Sequence, residues 1–112
     1  MAHYLLQISY VPETWAALVQ NPQDRAEAVR GPIEKLGGKV ERIWLAFGED
    51  DVVGIIDMPS NVAAAAIAIA FSAGGACKSV KTTPLLSFQE GIEAMKKTAQ
   101  CGYKPAHKAA SA

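Results

Sequence analysis

Glu49-Asp50-Asp51 is the densest run of ionisable side chains in the sequence. Adjacent carboxylates offer the oxygen ligands that a hard cation takes, or a pair of groups able to pass a proton. Known cation loops space their acids more widely and close on a distal glutamate, and no such spacing accompanies this run. With Gly48 directly before it, the run reads as the acidic, solvated turn of a hairpin, so no metal site is expected. His3 is the next candidate, a histidine able to act as a general base or haem ligand if it faces an enclosed space. Its place at the start of a strand makes a partly exposed surface group the simpler reading. His107 sits among small residues near the C-terminus and carries less weight.

Trp15, Trp44 and the tyrosines could line an aromatic pocket, although large rings serve more often as core or interface anchors. Cys77 and Cys101 are far apart and fit neither a disulfide framework nor a metal-ligand spacing. Neither cysteine has a histidine near it in sequence or a helix-start setting, so a nucleophilic thiol is not expected. The pairs Gly37-Gly38 and Gly74-Gly75 lack the pattern of a phosphate-cradling loop and read as helix stops. No cofactor is implied by any of these features.

The elements that must position these residues follow from patterning. A chain of 112 residues has a one-domain length, and with half its residues hydrophobic and 20% charged it is globular in composition. Eleven basic residues balance eleven acidic ones, which gives no electrostatic pull toward nucleic acid or an anionic membrane. The opening Met1-Ala2-His3-Tyr4 shows no signal peptide, and the apolar run from Val62 to Phe71 is too short to span a bilayer. A cytoplasmic protein with reduced thiols is expected.

Tyr4 to Tyr10 reads as a strand with Tyr4, Leu6, Ile8 and Tyr10 on one face and His3, Leu5, Gln7 and Ser9 on the other. Pro12 suits the first turn of a short helix carrying Trp15, Leu18 and Val19. Asn21-Pro22-Gln23-Asp24 resembles a helix start, leading to a helix that ends at Gly37-Gly38 and is bent or split at Gly31-Pro32. Lys39 to Phe47 and Asp51 to Asp57 form a hairpin. Its first strand places Val40, Arg42, Trp44 and Ala46 on one face, with Glu41, Ile43, Leu45 and Phe47 on the other. Ser60 caps a second helix whose body, Val62 to Phe71, is apolar all round and so needs cover on more than one side. Lys78 to Phe88 is a fourth strand, put at an edge by Pro84, and Ser87 to Gln100 is a terminal helix. Residues 1–100 thus form one α+β domain of the ferredoxin-like βαββαβ type with a C-terminal helix, and 101–112 read as a disordered tail.

The helices cover one face of such a sheet. The other face also carries apolar residues, among them Leu5 and Leu85, and its simplest cover is a second subunit, giving a dimeric α/β barrel. A homodimer or higher even oligomer is therefore expected. Pairing of the first and last strands brings His3, Gln7 and Ser9 near Ser79, Lys81 and Thr83. An inward lysine is costly unless it meets an anion, so a small carboxylate-bearing ligand between subunits is the motivated guess. It would be contacted by His3, Gln7, Ser9, Trp44, Lys81 and Thr83.

The stretch from Leu36-Gly37-Gly38-Lys39 through Trp44-Leu45-Ala46-Phe47-Gly48-Glu49-Asp50-Asp51-Val52-Val53 resembles the GYD-domain family of small bacterial proteins. The alanine-rich helix and Val80-Lys81-Thr82-Thr83-Pro84-Leu85 extend the likeness over residues 3–95. The resemblance implies the fold and no assigned activity. That family's motif reads glycine, a variable residue, tyrosine and aspartate; Gly48 and Asp51 match it, and Asp50 stands in the tyrosine place. A weaker resemblance is to the effector domain of leucine-responsive regulators, which binds amino acids between subunits, although no DNA-binding helix-turn-helix accompanies it here. Three functions follow as alternatives: a self-associating domain that binds or senses a small molecule, a cofactor-independent oxygenase or isomerase using the same pocket, and a structural protein assembling through the alanine-rich helix. Saturable binding without turnover marks the first. A pH-dependent rate abolished by changes at His3 or Lys81 marks the second. Burial of Val62–Phe71 against another subunit, with no cavity, marks the third.

Overall fold

Alternation of apolar and polar residues in β1 (Ala2–Tyr10) produces a strand with two distinct faces: Tyr4, Leu6, Ile8 and Tyr10 are buried, whereas His3 is exposed and Leu5 and Gln7 are half-buried. The computed structural model describes residues 1–106, so His107 and the remaining residues 108–112 of the expected tail lie outside the described residues. After β1 come α1 (Pro12–Gln20), α2 (Ala26–Lys35), β2 (Lys39–Leu45), β3 (Val52–Met58), α3 (Asn61–Ala73), β4 (Cys77–Leu85) and α4 (Phe88–Lys97), the last continued by a 3-10 turn at Thr98–Gln100. The four strands form one antiparallel sheet in the order β2-β3-β1-β4. This is the ferredoxin-like arrangement, with β4 and its Pro84 at one edge.

The core lies between one sheet face and the helices. Leu6, Ile56 and Met58 from the sheet meet Ile33 of α2 and Ile67 of α3, all five with side chains fully buried. Burial of such a side chain stabilises by roughly 1.5–3 kcal/mol, so these residues anchor the two layers. Ser60 caps α3 as expected, its hydroxyl accepting from the Ala63 N–H at 3.1 Å. Ser87 and Glu90 form a reciprocal capping box at the start of α4, with both hydrogen bonds at 3.0 Å.

Three local expectations are corrected. The region after α1 is not helical from Asn21: the Asn21 N–H closes α1 by donating to the Ala17 carbonyl, and the Asp24 carboxylate takes up the Ala26 N–H at 2.8 Å. Residues 21–25 are therefore loop. The following helix is not split at Gly31-Pro32 but runs as one element through Pro32. Proline forfeits one backbone hydrogen bond there, and the burial of Val29 and Ile33 on either side holds the helix together. In β2, the register shifts between Val40 and Arg42. This bulge puts Val40 opposite Ile56 and against the core with Ile43, away from the face that carries Trp44, because an extra residue switches the side on which successive side chains emerge.

α4 stands apart. None of its residues is buried, and its packing is with the 3-10 turn that continues it. The chain measures 58 × 30 × 22 Å with a radius of gyration of 18.2 Å. A closely packed chain of this length has a radius of gyration of about 13 Å, so the molecule is a compact body with a projecting arm.

Candidate functional site

Cross-strand register places the candidate residues in rows on the open sheet face, the one the helices do not cover. One row runs Trp44, Val53, Gln7, Lys81; the next runs Arg42, Ile55, Leu5, Thr83; a third runs Lys39, Asp57, His3, Leu85. Ser9 faces Ser79 beyond the first row. His3, Gln7, Ser9, Lys81, Thr83 and Trp44 thus emerge on one face, and Lys81 sits opposite Gln7.

The acidic hairpin does not form the solvated turn expected of it. Asp50 is buried, and its carboxylate folds over the end of the open face. It accepts from Gln7 Nε2 at 3.1 Å and from the Ser9 hydroxyl at 3.3 Å, and it pairs with Lys81 Nζ at 3.3 Å. The Asp51 carboxylate points to the other side, where it accepts from the Tyr10 N–H at 2.8 Å and from Trp15 Nε1 at 3.3 Å. Two neighbouring acids thus clamp the hairpin to both faces of β1, because successive residues in extended chain project oppositely. Glu49 alone keeps an exposed side chain, its carbonyl accepting from Ser9. Charges that find donors inside their own chain replace the water that a solvated turn would use. Lys81 therefore meets its anion within the chain, which removes the motive for a carboxylate-bearing ligand in particular.

A second polar cluster closes the opposite end. His3 Nδ1 pairs with the Asp57 carboxylate, and Lys39 pairs with Glu41 at 3.2 Å beside it. Burial pushes the Asp57 carboxyl upward, but hydrogen bonding from Glu41 and His3, with the charges of His3 and Lys39, outweighs it and leaves the pKa below the ordinary value. Asp57 was missed from sequence. The signal available was an acid directly after Ile55-Ile56 in a strand, at the position that antiparallel pairing sets opposite His3. Between the clusters lie Leu5, Val53 and Ile55, half-buried, and Leu85 at the β4 edge. A face with an apolar middle and polar groups already satisfied at each end can accept an apolar body and orient it by its ends.

On the helix side, at the far end of β1, lies a groove of about 630 Å³ lined chiefly by Tyr10, Trp15, Leu18, Val19, Val29 and Leu45. The Tyr10 and Trp15 rings meet edge to face with centroids 5.4 Å apart. Burial, joined by Cys77 and Asp51 against an opposing Arg25, raises the Tyr10 pKa and keeps the phenol neutral. Trp44 reaches the β2 rim of this groove while it also belongs to the open face. Burial likewise raises the Cys77 pKa, which fits an unreactive thiol, and no group of three or more metal-ligating side chains occurs among the described residues.

The family model of the GYD domain matches residues 4–99 of the 112. The chain belongs to the GYD-domain family. No curated protein matches it. Within that family's motif the departure at Asp50 has a visible consequence: where the motif calls for an aromatic ring, this GYD protein places a carboxylate tied to Gln7, Ser9 and Lys81. No helix among the described residues is long and apolar enough to cross a membrane.

Proposed function

We propose that this GYD protein is a cytoplasmic domain that pairs with a second copy through the open face of its sheet and binds a small organic molecule in the chamber between the two sheets. The observation that carries the reading is the composition of that face: Leu5, Val53, Ile55 and Leu85 form an apolar middle framed by the His3–Asp57 and Gln7–Ser9–Asp50–Lys81 clusters. An antiparallel sheet that meets water on one side has a polar outer face throughout, whereas here the two central strands set Leu5, Val53 and Ile55 together in its middle. With Lys81 and Asp50 neutralising one another and Arg42 set out on the β2 edge, the middle of the chamber favours an uncharged, largely apolar group, oriented by Gln7, Thr83 and His3.

Native mass spectrometry of the purified protein tests this. An even oligomer carrying added mass supports both parts, and the mass begins to identify the ligand. An even oligomer without added mass retains the pairing and removes the ligand. A monomer overturns the proposal.

A second reading, a scaffold assembling through α3, draws on the outer side of that helix, where Val62 and Ile69 are exposed among alanines. It predicts a mass above the dimer that Ile69→Asp reduces.

A further inference from the structure

α4 presents Phe88, Ile92 and Met95 at spacings of four and three residues, which places them along one side of the helix. Phe88 is 96% exposed and Met95 70% exposed. A capped helix with an apolar stripe and, among the described residues, none of its own residues buried is built to lie against something. The groove at the opposite corner of the molecule is apolar and empty of side chains from the rest of the chain, with Val19 and Leu45 largely exposed at its rim.

We propose that α4 is an exchanged arm: its Phe88–Ile92–Met95 stripe docks in the Trp15–Leu18–Val19–Leu45 groove of a second copy of this chain. The proposal rests on the self-association just inferred and assigns a second contact to it.

The tether excludes docking within one chain. β4 ends at Leu85, opposite His3, whereas the groove lies around Tyr10 and Val52 and extends to the β2 edge. From His3 to Tyr10 is about 23 Å along the strand, and β4 to β2 is about 14 Å across, so the separation is about 27 Å. From Leu85 to Ile92, three extended steps and four helical residues reach about 17 Å at most. A second copy is free of that limit. If the strands of the two sheets run in opposite directions across the pair, the start of each arm comes to the groove end of the other chain and rounds the end of that sheet to its helix side.

Area points the same way. Two strands of seven residues and two of nine make a face of about 19 by 23–30 Å, roughly 440–570 Å² in projection, whereas a stable interface takes about 800 Å² per partner. Two exchanged arms enlarge the contact. The arm also carries Glu93 beside Lys96 and Lys97, and the groove rim carries Asp24 and Arg25, so opposite charges are available on both sides.

Disulfide trapping tests the arm. Val19→Cys and Met95→Cys are combined in a chain with Cys77→Ala and Cys101→Ser; both new positions are exposed, so the fold is preserved. Light scattering gives the mass in solution, and a non-reducing gel gives the link after mild oxidation. The expected result is an oligomer that becomes a covalent dimer in the double variant, not in either single variant, with the link lost when Ile92→Asp is added. An oligomer that forms no such link overturns the arm and leaves the sheet-face pairing standing. A link within one chain overturns the tether reasoning and with it the exchange. A monomer overturns both the arm and the pairing.

Discussion

Replacement of Asp50 by alanine tests whether the acidic hairpin is clamped to the sheet. The carboxylate is buried and accepts two hydrogen bonds, from Gln7 at 3.1 Å and Ser9 at 3.3 Å. Hydrogen bonds to a charged group stabilise by about 1.5–3 kcal/mol, and at these longer separations about 1 kcal/mol each is appropriate. The Lys81 ammonium stands at 3.3 Å, but its side chain is 46% exposed, so the ion pair adds only about 0.5 kcal/mol. Asp50→Ala should therefore cost about 2–3 kcal/mol, which in a domain of this size lowers Tm by roughly 10–20 °C. Lys81→Met should cost about 0.5 kcal/mol, and the double variant should show a coupling of similar size that shrinks in 1 M salt. The assay is urea unfolding followed by tryptophan fluorescence at fixed protein concentration, because association adds its own stability. A cost for Asp50→Ala within about 0.5 kcal/mol of zero would refute the clamp and restore the solvated turn.

Two further outcomes follow from the structure. The depressed pKa of Asp57 means its contribution is fully present above the ordinary carboxylate value of about 3.9 and is lost as pH falls through the lower folded value; Asp57→Asn should flatten that acid limb of the stability curve, read by urea midpoints from pH 5 downward. Thr82 has a buried hydroxyl with no hydrogen-bond partner among the described residues, so Thr82→Val should leave stability unchanged or raise it by about 1 kcal/mol in the same unfolding assay.

Patterning alone determined the element types and their order. Alternation in Tyr4–Tyr10 separated the core face from the open face, Ser60 marked the start of α3, and Pro84 marked an edge strand; each is a local property that backbone geometry imposes wherever the segment lies. That Lys81 comes near His3, Gln7 and Ser9 also followed, once the order of elements and the pairing of first and last strands were set; that it faces Gln7 is fixed by the register. Tertiary structure decided whatever depended on a partner distant in sequence. Asp50 and Asp51 look like any acidic turn until β1 supplies Gln7, Ser9, the Tyr10 N–H and, through α1, Trp15 Nε1. Val40 changed faces because a bulge inserted one residue, which periodicity cannot register. Pro32 stayed within its helix because Val29 and Ile33 are held by a core assembled from other segments. The groove has no local signature either: its walls come from the last residue of β1, α1, the loop after it, α2, β2 and the first residue of β3, and only their packing makes a concavity of them. Short-range stereochemistry is written in neighbouring residues, whereas the satisfaction of a charge or the shape of a cavity depends on which distant groups the fold brings within a few ångströms.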